Sequence, residues 1–195
     1  MITTDQDDWN ERYRSGEFGY RDPDAFVMDA HHNYLEPLLM AGSAGLDLAG
    51  GAGHHAIWLA QQGWRMTLVD FSQAAIAIAR ERSEGTRLEM LCGPAHYVVE
   101  SLIEQKQQFG FVLVSFFLER EVLSMLPSLL APDGLLLYRS YTVDNVRLKN
   151  PNGPRNPLYL LQSQELLKAY SKMRILHYNE TVAVKGVVEL IAQRD

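Results

Sequence analysis

The segment Leu46-Asp47-Leu48-Ala49-Gly50-Gly51-Ala52-Gly53 constrains the fold of this chain more than any other. Residues of strand character run directly into a glycine-rich turn, and His54 to Gln62 then reads as a helix stopped by Gly63. Glycine in such a turn lets the backbone reverse sharply and removes the Cβ that would hold a ligand away from the main chain. The next strand, Arg65 to Val69, closes on Asp70, 19 positions after Gly51. An acidic side chain near that spacing accepts hydrogen bonds from ribose hydroxyls when a nucleotide lies beyond the carboxyl ends of a parallel sheet.

The rest of the chain repeats the rhythm. Ser72 is placed to cap a helix over Gln73 to Arg82, and Arg87 to Leu91 reads as a strand. A helix from Ala95 to Gln105 leads into Phe109 to Phe116, a strand whose apolar run fits burial on both faces. Arg120 to Leu130 reads as a helix ended by a Pro132-Asp133-Gly134 turn, and Leu135 to Tyr141 is a fifth strand. From Thr142 to Leu161 the prolines 151, 154 and 157 and Gly153 predict a long loop, a feature usually tied to function in compact domains. A helix over Ser163 to Tyr170 precedes two strands, Arg174 to Glu180 and about Thr181 to Ala192, parted near Lys185-Gly186. Upstream, Asp8 to Tyr20 reads as a short helix and an aromatic loop, and Ala25 to Met40 as a helix ending near Gly42.

Five β-then-α units specify an α/β doubly wound, Rossmann-like sheet, mostly parallel, because right-handed crossovers return each helix to a face of the sheet. The last two strands have no helix between them and are expected to form an antiparallel hairpin at one edge. The expectation is seven strands in a single domain over 1–195, with an N-terminal lid and helix in 1–42 and the core in 43–195.

Composition narrows the function. A formal charge of −6 without any run of basic residues argues against a nucleic-acid partner. One cysteine, Cys92, suits a reducing cytosol, and the polar start of the chain has no secretory h-region, so a cytoplasmic location is expected. Phe111 to Leu118, the longest apolar stretch, is too short to span a membrane.

The turn alone leaves the nucleotide open. No Gly-Lys-Ser/Thr follows it, which removes the P-loop, whereas the dinucleotide spacing with Ala56 in third place is tolerated. Leu46 through Ala60, with Gly63-Trp64 and Val69-Asp70-Phe71-Ser72, resembles motifs I and II of the class I S-adenosylmethionine-dependent methyltransferases. Within that class it is most similar to the tellurite-resistance TehB-like branch and the neighbouring thiopurine and thiol methyltransferases. Trp9-Asn10-Glu11-Arg12-Tyr13 resembles the branch's N-terminal lid, and Gly153-Pro154 through Leu166 resembles its segment after the fifth strand. The sequence departs from the branch at Gly50, where cysteine is usual, and at Gly93 and Gly110, where aspartates are common.

The resemblance implies S-adenosyl-L-methionine as cofactor and a small soft nucleophile, a thiol or a chalcogen oxyanion, as methyl acceptor. Gly51 and Gly53 would face the methionine part of the cofactor and Asp70 the ribose. Phe71 would lie beside the adenine, with Cys92 and Gly93 where relatives contact its amino group, and Ser72 and Phe116 are further candidates for the cofactor site. Trp9, Tyr13 and Tyr20 match lid aromatics near the sulfonium, and Arg12 could meet the cofactor's carboxylate. Methyl transfer needs alignment more than acid–base groups, so catalytic residues are hard to read; Tyr141 and Arg155 are the candidates. A reading of another class is a degenerate methyltransferase fold that serves as a partner-binding module.

Other chemistry finds less support. Neighbours on a helix point about 100° apart, so the pairs His31-His32 and His54-His55 make no metal site by themselves, and none is expected. Cys92 at a strand end is expected to be a small buried side chain. No Gly-x-Ser-x-Gly elbow is present.

Overall fold

The computed structural model describes residues 2–18, 21–148 and 153–195, with side chains from residue 6 onward. Helix α1 (Ile2–Arg14) precedes α2 (Ala25–Ala30) and the short α3 (Glu36–Leu38); the core then alternates from β1 (Ala44–Leu48) and α4 (His54–Gln61) to β2 (Arg65–Asp70) and α5 (Gln73–Arg82). It continues through β3 (Leu88–Cys92), α6 (Ala95–Glu104), β4 (Phe109–Ser115), α7 (Arg120–Met125) and β5 (Leu130–Tyr141). Helix α8 (Glu165–Ala169) leads to β6 (Arg174–Thr181) and β7 (Val187–Gln193).

The strands form one seven-stranded sheet in the order β3-β2-β1-β4-β5-β7-β6. The first five run parallel, and β7 lies antiparallel between β5 and β6, so the expected terminal hairpin closes one edge. Alternate residues of each strand serve opposite faces. Phe111, Leu113, Leu135 and Leu137 join Phe26, Val27, Leu59, Trp64 and Ala79 on one side. Val112, Val114, Leu136 and Tyr138 meet Ala95, Val99, Leu102, Leu126 and Leu166 on the other. Both faces of β4 are therefore buried, which is why its sequence shows no polar alternation.

The structure corrects several boundaries. The helix expected over Ala25–Met40 is interrupted by a π-helical turn, His31–Leu35, in which Glu36 N–H donates to His31 O. Pro37 has no N–H and could not have continued the i→i−4 ladder. Likewise α7 stops at Met125 and gives way to a 3₁₀ turn, Leu126–Leu129, at Pro127. Pro132-Asp133-Gly134 does not precede the fifth strand as a separate turn. It is an irregularity inside β5, whose register jumps from Phe109–Leu130 to Phe111–Leu135, with Asp133 at φ +60°. The described residues of the long loop include two 3₁₀ turns, Val143–Arg147 and Pro157–Tyr159, and a bridge between Thr142 and Leu161 joins its ends.

Candidate functional site

The carboxyl ends of β1 and β2 bring the glycine turn and Asp70 together. Gly51 and Gly53 adopt φ +58° and +75°, a region in which a Cβ would clash with the backbone, and both residues are buried. Asp70 Oδ2 accepts the N–H of Gly51 at 2.8 Å, and Oδ1 accepts that of Ser72 at the same distance. Burial raises the Asp70 pKa, although the backbone N–H groups favour the charged form. Ser72 caps α5 as expected, its Oγ accepting from Ala75 N at 3.1 Å.

Helix α1 lies over this turn. Asn10 Oδ1 accepts from Ser72 Oγ at 2.9 Å and from Ala74 N at 3.1 Å, so a side chain of α1 satisfies a free N–H at the start of α5. Gln6 Nε2 donates to Phe71 O. The Tyr13 hydroxyl fills the space a Cβ on Gly51 would need. Burial raises the Tyr13 pKa, and Asp70 adds to the rise, so the phenol stays protonated. Arg12 is engaged elsewhere: it pairs with Glu17 at 2.7 Å, with its guanidinium 4.6 Å from the Trp9 ring centre and 4.2 Å from that of Phe18. Tyr20 lies outside the described residues.

Phe71, Cys92 and Gly93 stand together on the β2–β3 side. Gly93 N donates to Asp70 O at 3.0 Å, and Cys92 Sγ lies 3.8 Å from Phe71 O. Cys92 is exposed, not buried as expected, because β3 is the outer strand of the sheet. Gly110 is explained by space, since a Cβ there would come within 3.0 Å of Ser43 Cβ.

A second cluster lines the ends of β4 and β5. The Phe116 and Tyr141 rings lie 4.7 Å apart, and Gly153 packs against the Tyr141 ring. Arg139 sits 4.9 Å from the Phe116 ring centre and pairs with Asp24 at 2.8 Å and Glu189 at 3.2 Å. Asp24 also meets His55 Nε2 at 3.4 Å. Burial would raise the Asp24 pKa, but His55 and Arg139 outweigh it and hold the group below its ordinary value. His54 is pushed down to about 3 by burial and by His55, so its imidazole is neutral. Arg155 is exposed on the loop.

Three participants in this region escaped sequence reasoning. Asp47 is fully buried beneath Gly50, and neither carboxyl oxygen has a well-aligned hydrogen-bond partner. Burial pushes its pKa up to about 6 against the pull of His55 and the Ala56 N–H. Arg120 grips Glu165 at 2.8 and 3.0 Å and donates to Leu158 O and Leu160 O, tying the long loop to α7. Arg139 and its two carboxylates are the third group. Only the strand-end position of Asp47, next to the glycines, could have signalled it.

Residues 46–134, from the first strand to the start of the fifth, match the family model of a methyltransferase domain. Over that stretch, a little under half of the chain, the sequence resembles a methyltransferase domain. TehB from Haemophilus influenzae superposes with a TM-score of 0.72 at 17% identity, covering 95% of this chain and 67% of that one. A TehB-like S-adenosylmethionine-dependent methyltransferase from Corynebacterium glutamicum gives 0.66 at 12% identity, covering 99% of this chain and 100% of that one. An S-adenosylmethionine-dependent methyltransferase from Aquifex aeolicus gives 0.63 at 16% identity, covering 95% of this chain and 98% of that one. At such identities the likeness is one of fold: a Rossmann-like sheet shared with S-adenosylmethionine-dependent methyltransferases. No curated protein sequence matches the chain.

Proposed function

We propose that this chain binds S-adenosylmethionine across the glycine turn and methylates a small soft nucleophile, a thiol or a chalcogen oxyanion. The observation that carries the reading is the joining of Asp70 to the Gly51 turn beneath helix α1. Backbone N–H groups of Gly51, Ser72 and Phe71 act on the Asp70 carboxylate, which has about four acceptor positions, so a ribose hydroxyl can still be met. The residues therefore suit the cofactor, provided that Tyr13 moves off Gly51.

The bound cofactor would supply an already activated methyl group, leaving alignment and exclusion of water to the protein. Gly51 and Gly53 allow close approach to the main chain, Asp70 holds the ribose, and Phe71, Ser72, Cys92 and Gly93 border the adenine side. Trp9 and Tyr13 lie on α1 above the turn, and Tyr20, which lies outside the described residues, is assigned to the same lid by the sequence alone; Arg12 would exchange Glu17 for the cofactor's carboxylate. On the acceptor side stand Phe116, Tyr141 and Arg155. A small, non-nucleic acceptor accords with the charge of −6, and a cytoplasmic setting with the single cysteine.

Calorimetry with S-adenosylhomocysteine and NAD, followed by turnover with thiols, thiopurines, tellurite and selenite, tests the reading. Binding of S-adenosylhomocysteine but not NAD, release of S-adenosylhomocysteine with one acceptor class, and reduced turnover in Tyr141→Phe and Arg155→Ala are expected. Binding without turnover across the panel would favour the partner-binding module. Preference for NAD would overturn the cofactor assignment.

A further inference from the structure

The π-helical turn at His31–Leu35 does something an α-helix would not. In an α-helix residues five apart are rotated by about 140° from one another, so a glutamate at 36 would face away from a histidine at 31. Here the wider turn, closed by the Glu36 N–H to His31 O bond, returns Glu36 to the His31 face. Glu36 Oε2 lies 3.7 Å from His31 Nδ1 and 3.1 Å from His32 Nδ1. The carboxylate missing from the histidine pair in sequence is supplied by backbone geometry.

We propose that His31, His32 and Glu36 form a binding site for a divalent first-row transition ion, Zn²⁺, Ni²⁺ or Cu²⁺, with its remaining position open to solvent. The three donor atoms all lie within 4.8 Å of one another. With metal–ligand bonds of about 2.0–2.1 Å, tetrahedral geometry puts donors roughly 3.4 Å apart, between the two measured separations. His31 is 2% exposed and its Nδ1 has no hydrogen-bond partner, so a buried nitrogen is aimed at the carboxylate without a donor of its own. The edges of Trp58 and Trp64, with ring centres 5.1 and 6.1 Å away, hold that imidazole in place. Two imidazoles and one carboxylate disfavour Ca²⁺ and Mg²⁺, which prefer all-oxygen shells. His32 and Glu36 are exposed, which leaves an entry path. π-turns also concentrate at functional sites.

The test uses the full chain without a polyhistidine tag, freed of metal by chelation. Cu²⁺ is titrated while tryptophan fluorescence is followed, Zn²⁺ serves as competitor, and calorimetry gives the stoichiometry. Expected are one ion per chain, saturable quenching that Zn²⁺ reverses, and affinity weakened about tenfold or more by His32→Ala and by Glu36→Gln. Both side chains are exposed, so the fold, checked by circular dichroism, should be unchanged. His96→Ala, in a separate His/Glu group with Glu119 and Glu121, should bind like the wild type. Wild-type affinity in both His32→Ala and Glu36→Gln, loss of binding in His96→Ala instead, or absence of stoichiometric binding would overturn the site.

Discussion

Tyr13 and Gly51 fit together only because residue 51 has no side chain: the phenol oxygen occupies the place a Cβ would take. Helix α1 and the glycine turn are thus sterically matched. Gly51→Ala should cost about 1–2 kcal/mol from positive φ alone, with a further loss from displacing the tyrosine. In a Tyr13→Phe background the second part should shrink. A double-mutant cycle on urea midpoints measures the difference, and strict additivity would separate the two residues.

Asn10 joins α1 to the start of α5 through Ser72 and the Ala74 N–H. Asn10→Ala should lower stability by about 1 kcal/mol, the usual worth of an N-terminal cap. Its larger effect should be local. Hydrogen exchange is expected to speed up in α1 and in the first turn of α5 while β1 and β4 stay protected; equal acceleration throughout would refute a lid-specific role.

Asp47 sets a pH dependence. Its pKa rises from 3.8 to about 6 on folding, so between those values the folded state holds the proton more tightly than the unfolded state. Its favourable contribution is complete below about pH 4 and is lost as pH climbs through 6. A shift of about two units corresponds to ~3 kcal/mol. Asp47→Asn should therefore flatten the decline of the urea midpoint between pH 4 and 7. An unchanged profile would show that the carboxyl is charged throughout.

Arg120 is the fastening of the long loop. Arg120→Ala removes a two-pronged pair with Glu165 and two bonds to loop carbonyls, on a side chain that is 41% exposed. The global cost should be about 1 kcal/mol. Limited proteolysis should then cut within residues 153–161 several times faster than in wild type. Glu165→Gln should do the same more weakly, and resistance in both variants would rule out the clamp.

What the sequence by itself determined was carried by short-range patterns. The β-then-α rhythm, the glycine turn, Asp70 at the end of β2, the Ser72 cap and the terminal hairpin all depend on neighbours within one or two turns or strands. Their physical causes, side-chain periodicity, backbone freedom at glycine and capping of free N–H groups, are visible in a string of letters. Tertiary structure decided the rest. Cys92 is exposed because β3 is an edge strand, a fact of sheet order that no local window contains. Asp24, Arg139 and Glu189 become one ion cluster only when α2, β5 and β7 converge. Arg120 meets Glu165 across 45 residues. Even within the expected helix, the angle between His31 and Glu36 follows from the hydrogen-bond register; residue spacing fixes that angle only after the structure has chosen between an α and a π turn.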